Sequence, residues 1–133
     1  MINPLTTSTL IALLLLIGVD AQARVSPGHT QDGVASYYHD RFHGRKTASG
    51  AAYNKNALSA AHKSLPLGTE VRVTDARSGK SVIVKINDRG PYAKGRVIDL
   101  SRAAAREIGL TKKGLAKVKV EVLNMPQKGR RDS

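Results

Sequence analysis

The feature that most restricts the fold is a two-residue alternation of apolar and polar side chains in three separate stretches. These stretches are 70–75 (EVRVTD), 81–86 (SVIVKI) and 116–123 (AKVKVEVL). Alternation with this period is typical of a strand with one buried and one solvated face. Because each stretch has a polar face, we expect an antiparallel or mixed sheet rather than a parallel sheet that is buried on both sides.

Two shorter strands and one helix complete the predicted elements. The strand candidates are 33–38 (GVASYY) and 95–100 (GRVIDL), and the helix is 101–109 (SRAAAREIG). Three alanines favour the helix, and either Asp99 or Ser101 can cap its N-terminus. Several short strands with one small helix in about ninety residues indicate a compact, mainly β barrel.

The 133 residues suffice for one ordinary domain, and the two ends of the chain differ from its middle. Residues 10–19 (LIALLLLIGV) form an apolar run that ends near Ala-Gln-Ala at 21–23. This pattern is typical of a secretory signal, and the run is too short to span a bilayer; a buried core helix is the alternative. The predicted divisions are a signal peptide at 1–23, a linker at 24–32, the domain at 33–123 and a disordered basic tail at 124–133.

The net charge of +12 favours a polyanionic partner. Nucleic acid would be expected for a cytosolic protein this basic. Export argues against nucleic acid and favours the anionic polymers and lipid head groups of a bacterial envelope, although a generic solvated surface would also carry such a charge. The absence of cysteine excludes disulfides, cysteine metal sites and an acylated N-terminal cysteine.

Five short motifs carry a resemblance to a known family. They are TASG at 47–50, AAH at 60–62, LPLGT at 65–69, NDRGP at 87–91 and IDLS at 98–101. In this order and spacing, the stretch from 33 to 123 resembles the double-psi β-barrel domain of the rare lipoprotein A (RlpA) family, the septal ring lytic transglycosylases. The resemblance implies a six-stranded double-psi β-barrel with one or two short helices. Such barrels are more distantly similar to those of expansins and barwin-like proteins.

The resemblance also implies a substrate and a place of action. The implied reaction is endolytic cleavage of the bond between N-acetylmuramic acid and N-acetylglucosamine, in peptidoglycan strands that lack or are poor in stem peptides. Its products carry 1,6-anhydromuramyl ends. The family usually has a lipobox cysteine and often a C-terminal SPOR domain, and neither is found in this sequence. We therefore expect a soluble monomer that is periplasmic or secreted, with septal cell-wall proteins as further partners.

Asp88 is the predicted catalytic residue. From the residues alone, NDRGP is also a plausible turn in which Asp88 binds local backbone amides. The resemblance instead gives Asp88 the position of a catalytic carboxylate, whereas the family's catalytic glutamate corresponds to Ala51. One carboxyl group can serve as acid and then base, because the muramyl C6 hydroxyl is a nucleophile within the substrate. Asp99 precedes the predicted helix, and we expect it to cap that helix.

Further residues are predicted to bind the glycan. The family position of His62 implies that it orients Asp88 or binds a sugar hydroxyl, although a histidine after two alanines could equally pack at the edge of the core. Thr47 and Ser49 are candidates for hydrogen bonds to glycan or for stabilising their own loop. Tyr37, Tyr38 and Phe42 are candidates for stacking on sugar faces, with packing at the core or its rim as the alternative. Arg89, which adjoins Asp88, is the last residue predicted to bind substrate.

No metal or other cofactor is predicted. His39 and His43 have a spacing that would suit two metal ligands on one face of a helix. Gly44 and the lack of helical periodicity around them argue against that arrangement.

The substitution of the family glutamate by Ala51 keeps two other functions open. The first is a glycan-binding module that retains the groove without catalysing cleavage. The second is an expansin-like protein that loosens wall contacts without cutting. Both share the predicted barrel and differ from the enzyme in releasing no products.

Overall fold

The structure is a computed structural model that describes residues 25–126, which form a closed barrel of six strands. The strands are β1 (Thr30–Tyr37), β2 (Ser59–His62), β3 (Glu70–Asp75), β4 (Ser81–Asp88), β5 (Arg96–Leu100) and β6 (Ala116–Asn124). Two short helices, α1 (Arg102–Glu107) and α2 (Leu110–Lys113), lie between β5 and β6, and a 3₁₀ turn (Asp40–Phe42) follows β1. The predicted signal peptide and all but the first residues of the predicted tail lie outside the described residues.

The order of strands around the barrel is β1-β5-β2-β4-β3-β6, and β6 pairs with β1 to close it. The pairs β1 with β5 and β2 with β4 are parallel, and the other four pairs are antiparallel. The prediction of a mixed sheet is therefore confirmed. The closed barrel of six strands also confirms the predicted double-psi β-barrel with one or two short helices.

The alternation in the sequence places one face of each long strand inside the barrel. The core is built mainly from the predicted apolar positions of β3, β4 and β6, together with residues of β5 and α1. Its fully buried aliphatic side chains include Val71, Val73, Val84, Ile86, Ile98, Leu100, Val118, Val120 and Val122. The polar alternates point outward, as predicted from their period of two.

Strand β2 was not predicted from alternation. All four of its residues, Ser59–His62, are buried between β4 and β5. A strand that is buried on both faces does not alternate between buried and exposed positions, so period-two patterning does not reveal it.

Strand β1 begins at Thr30, three residues ahead of the predicted domain start at Gly33. At Gly33 the backbone of β1 lies close to Val97 of β5. A Cβ atom at this position would lie 2.4 Å from a methyl carbon of Val97. The pairing of β1 with β5 shifts register between Val34 and Ala35, next to this contact. The missing side chain of Gly33 thus lets the two strands pack closely at the shift.

Helix α1 is capped by Ser101 and not by Asp99, so the predicted role of Asp99 as the cap is wrong. The Ser101 hydroxyl accepts a hydrogen bond from the backbone N–H of Ala104 at 3.2 Å. Strand β5 continues through Leu100, which keeps Asp99 in the strand and directs its side chain to Ser36 and Arg96. Across residues 25–126, no helix has the length and apolar character needed to cross a membrane.

Candidate active-site groove

A surface groove of about 590 Å³ lies where β1 and β4 end. It combines aromatic rings, cationic side chains and two carboxylates. Its lining residues that matter below are Tyr37, Tyr38, Phe42, Arg45, Lys46, Asp88, Arg89, Tyr92, Arg96 and Asp99. A larger surface depression of about 810 Å³ elsewhere on the barrel does not contain Asp88.

Asp88 is the last residue of β4, and three donors hold its carboxylate in place. The Oδ1 atom accepts hydrogen bonds from the backbone N–H groups of Ala48 and Arg89, both at 2.9 Å. The Oδ2 atom accepts one from the Tyr38 hydroxyl at 2.5 Å. The side chain is half-buried at the groove surface. This geometry gives a carboxylate with a fixed orientation that a ligand in the groove can reach.

No cationic side chain is within 4 Å of Asp88 in the part of the chain that the structure describes. The neighbouring Arg89 turns away and donates from Nη1 to the backbone oxygens of His62 (3.1 Å) and Leu65 (2.7 Å). Alternation along the strand accounts for this separation, because consecutive side chains leave opposite faces. The contacts of Arg89 thus brace the β2–β3 connection, and they do not support its predicted role in binding substrate.

Tyr38 is a direct hydrogen-bond partner of Asp88, and the sequence did not predict this contact. Its ring stacks on Tyr53, with centroids 4.4 Å apart and planes 15° from parallel, and Tyr53 is only 2% exposed. Burial and the adjacent Asp88 carboxylate raise the pKa of Tyr38 well above its usual value near 10. The phenol therefore keeps its proton and acts as a donor toward Asp88.

The loop that contains TASG is tied to the end of β4. Thr47 donates from Oγ1 to the backbone oxygen of Ala51 at 2.7 Å, and its hydroxyl also contacts that of Ser49 at 2.8 Å. The Ser49 backbone N–H donates to the oxygen of Asn87 at 3.1 Å. Of the two roles left open by the sequence, these contacts favour loop stabilisation for Thr47 and Ser49. The exposed Ala51 brings no carboxylate to this loop.

His62 lies apart from the groove and is only 5% exposed. Its Nδ1 atom accepts hydrogen bonds from the backbone N–H groups of Ser64 and Leu65, both at 3.1 Å. This fixes the proton on Nε2, which lies 2.8 Å from the side-chain oxygen of Gln31 and donates to it. Burial, with Arg89 as the next cause, lowers the pKa of His62 to about 4, so the ring is neutral at neutral pH. Both nitrogens are thus used inside the chain, and of the two roles left open by the sequence these contacts favour packing at the edge of the core over substrate binding.

Tyr37 lines the groove but is anchored within the fold. Its hydroxyl donates to the backbone oxygen of Thr111 at 3.3 Å, and the Arg102 guanidinium lies 5.8 Å from its ring centroid. The more accessible aromatic surface in the groove is Tyr92, which is 76% exposed. Tyr92 directly follows NDRGP, and sequence reasoning gave it no role.

Asp99 is the second carboxylate of the groove. It accepts hydrogen bonds from the Ser36 hydroxyl and from Arg96, with 3.1 Å between Arg96 Nη2 and Asp99 Oδ1. Alternation in β5 could have predicted this position of Asp99, because the buried side chains of Ile98 and Leu100 direct Asp99 to the other face of the strand. Unlike Asp88, Asp99 is neutralised by a cation at close range.

No group of three or more histidine, aspartate or glutamate side chains that could hold a metal occurs between residues 25 and 126. The Nδ1 atom of His39 accepts from the Arg41 backbone N–H at 3.0 Å, and that of His43 accepts from Lys55 at 3.1 Å. The two imidazoles thus accept hydrogen bonds from separate backbone segments.

Comparison with known proteins gives consistent results. The sequence profile of the family described as lytic transglycolase matches residues 30–120. The endolytic peptidoglycan transglycosylase RlpA of Pasteurella multocida is 56% identical over 108 residues, which cover 81% of this chain. The chain spans only 37% of that relative's length.

Two solved structures are similar in fold at low sequence identity. The Streptomyces papain inhibitor aligns with a TM-score of 0.61 and 21% identity, over 76% of this chain and 100% of its own. A Clavibacter michiganensis expansin, solved with cellohexaose, aligns with a TM-score of 0.55 and 21% identity, over 74% of this chain and 52% of its own. At this identity the likeness extends to the barrel alone.

Proposed function

Since the chain belongs to the lytic transglycolase family, we propose that it cleaves peptidoglycan glycan strands endolytically as a lytic transglycosylase. The proposed bond is the one between N-acetylmuramic acid and N-acetylglucosamine, in strands that lack or are poor in stem peptides. The name of the Pasteurella multocida relative supports this reaction, and residues 30–120, which the family profile matches, contain the whole groove.

The observation that carries the proposal is the fixed orientation of Asp88 in an open groove without a cationic partner among the described residues. In its acid form, Asp88 gives a proton to the glycosidic oxygen as the bond from that oxygen to muramyl C1 breaks. The muramyl C6 hydroxyl then attacks C1 and returns a proton to Asp88. The new C6–O–C1 bond forms the 1,6-anhydro ring, and the departing N-acetylglucosamine carries the first proton.

Other groove residues support this chemistry in the proposal. Tyr38 orients the Asp88 carboxyl group through its hydroxyl. Tyr92 offers an exposed ring on which a sugar of the bound strand can stack. Because the nucleophile belongs to the substrate, correct positioning of the strand supplies much of the rate enhancement.

The rival function is a glycan-binding module without catalysis. The position of the family glutamate is Ala51, and Asp99 is paired with Arg96, so neither supplies a free second carboxylate. We expect weaker support for an oxocarbenium-like transition state than two free carboxylates would give. An expansin-like module would share this groove and would also release no products.

The test is to incubate the protein with peptide-free glycan strands and to analyse the products by mass spectrometry. Fragments with 1,6-anhydromuramyl ends are expected, each lighter by one water than a hydrolysis product. Asp88→Asn should abolish their release while the fold and glycan binding persist, because an amide cannot cycle the proton. Asp32→Asn, at an exposed carboxylate outside the groove, is the matched control.

Two outcomes would count against the proposal. Release that persists in Asp88→Asn would remove Asp88 from its catalytic role. Glycan binding without any release by the natural protein would assign it to the binding modules.

We also propose that the protein is exported and acts as a monomer. The apolar run at 10–19 and the small residues at 21–23 support export, with cleavage near Ala23. The closed barrel supports a monomer, because no strand edge within residues 25–126 is left open for pairing with another copy. N-terminal sequencing of the exported protein and light scattering in solution would test these two points; an uncleaved cytosolic product would revive nucleic acid as a partner.

A further inference from the structure

Four arginine and lysine side chains line the groove, and they differ in what they contact. Arg89 donates to the backbone oxygens of His62 and Leu65. Arg96 bonds the Ser36 hydroxyl and pairs with Asp99. The other two, Arg45 and Lys46, have no salt-bridge partner among residues 25–126.

Arg45 and Lys46 are exposed, and neither has a carboxylate within 4 Å anywhere in residues 25–126. Their charges are therefore available to a ligand in the groove. Since arginine presents parallel N–H donors that match a carboxylate, this pair is suited to binding an anionic substituent.

Aromatic contacts connect Arg45 to Asp88. The Arg45 guanidinium lies 5.2 Å from the centroid of the Phe42 ring, which limits the positions open to it. Phe42 meets Tyr38 edge to face, with 6.1 Å between centroids, and Tyr38 bonds Asp88. Arg45 thus occupies the same wall of the groove as the proposed catalytic carboxyl group.

Lys46 belongs to the loop whose backbone contacts Asp88. Ala48, two positions further along the chain, donates its N–H to the Asp88 carboxylate. Lys46 itself forms an isolated antiparallel bridge with Ala52, which fixes the start of this loop. The two unpaired cations thus belong to the segment that holds Asp88.

We propose that Arg45 and Lys46 form a subsite for the free carboxylate of the lactyl group on N-acetylmuramic acid. This inference rests on the proposed function, because it takes a muramyl glycan as the ligand. In a peptide-free strand the lactyl group ends in a carboxylate, whereas an attached stem peptide converts that group into a neutral amide. The subsite therefore gives a physical reason for a preference for peptide-free strands.

The position of the pair favours a substituent of the bound strand over a lipid surface. The two cations line the same concave groove as exposed Tyr92, where a sugar chain can lie. A membrane surface would instead engage cations on an open convex face. We therefore take the muramyl carboxylate as the ligand, and anionic lipid is an outcome to be distinguished by experiment.

The experiment compares the full chain on two glycans that differ only in the lactyl group. One is the peptide-free strand, and the other is the same strand with its carboxylates converted to methylamides. We expect amidation to weaken binding about 10-fold, as the loss of a charge-assisted pair would. Arg45→Gln with Lys46→Gln should weaken binding to the free acid by a similar factor and bind the two glycans equally.

A matched control is Lys117→Gln with Lys119→Gln, which removes two exposed charges from β6 outside the groove. This variant should still distinguish the two glycans as the natural protein does. The natural protein should also bind chitin oligomers, which lack the lactyl group, no better than the amidated strand.

The outcomes separate this inference from the proposed function. Equal binding of the two glycans by the natural protein, or no binding to either, would overturn the subsite. Discrimination without release of 1,6-anhydromuramyl ends would support the subsite and contradict the enzyme. If the Arg45/Lys46 variant still discriminates but no longer binds phosphatidylglycerol vesicles, the pair recognises lipid and the inference fails.

Discussion

The hydroxyl of Tyr38 lies 2.5 Å from the Oδ2 atom of Asp88, so the end of β1 positions a carboxylate at the end of β4. The register across β5 and β2 brings these ends to the same groove, because Ser36 pairs with Asp99, Asp99 with Ala61, and Ala61 with Asp88. Stacking on buried Tyr53 fixes the ring of Tyr38. Tyr38 is therefore a positioning residue for the proposed acid and base.

Tyr38→Phe should lower the release of 1,6-anhydromuramyl ends while leaving the barrel folded. The variant keeps the stacking on Tyr53 and removes one donor to a charged acceptor, which is worth about 1.5 to 3 kcal/mol. This corresponds to a rate loss of about 10-fold to 100-fold. Initial rates at saturating glycan measure the effect, and the pH profile should change because the donor acts on Asp88 itself. An unchanged rate and profile would show that the hydroxyl is dispensable.

The sequence predicted most of the barrel because most strands have a dry and a wet face. Val71, Val84 and Val120 all follow period-two alternation into the core. Alternation did not predict strand β2, because both of its faces are buried, and only the family resemblance indicated a sixth strand. A local pattern shows which residues are buried and which are exposed. The position of β2 depends instead on its pairing with β4 and β5, which are distant from it in the sequence.

The site was predictable only in part. The NDRGP motif predicted a groove position for Asp88, and the structure brings that residue to the groove. The contact of Tyr38 with Asp88 joins residues from separate strands, and no local pattern reports such a pairing. For Asp99, proximity to the helix favoured the cap, although the strand pairing of β5 governs its position.

The stability of the domain should fall as the pH drops from about 6.5 to about 4. Burial lowers the pKa of His62 to about 4 in the folded state, whereas the unfolded chain has a value near 6.5. The unfolded state therefore binds the proton more tightly, so stability is full above pH 6.5 and lost as the pH falls. The expected loss is about 3 kcal/mol, measurable by urea unfolding at a series of pH values.

His62→Gln should flatten this dependence, and His43→Gln, at an exposed imidazole, should leave it intact. Asp75 contributes separately: backbone N–H donors, led by that of Ser78, lower its pKa from 3.8, so most of its effect on stability falls below pH 4. A stability that stays constant between pH 6.5 and 4 in the natural protein would contradict the neutral, buried state of His62.

Gly33→Ala should destabilise the barrel, although alanine usually stabilises a strand relative to glycine. The added methyl would lie 2.4 Å from a methyl carbon of Val97, whose branched side chain has few alternative rotamers. Overpacking of this kind costs about 1 to 3 kcal/mol. Combination with Val97→Ala should recover part of the loss, and denaturant unfolding of the two single variants and the double variant measures the coupling. Additive losses would show that the two positions do not interact.

Ala51→Glu should raise the rate of glycan cleavage by restoring the carboxylate that the family pattern expects. The position is exposed, and its backbone oxygen accepts two hydrogen bonds from Thr47, so a longer side chain fits without disturbing the loop. The same loop is bonded to Asp88 through Ala48, which keeps the new carboxylate near the reaction. A gain of about 10-fold to 1000-fold corresponds to about 1.4 to 4 kcal/mol of transition-state stabilisation. Ala51→Gln is the matched control, because it adds the same volume without charge. If both variants cleave at the natural rate, Asp88 works without a second carboxylate; if cleavage appears only with glutamate, the natural protein is a binding module.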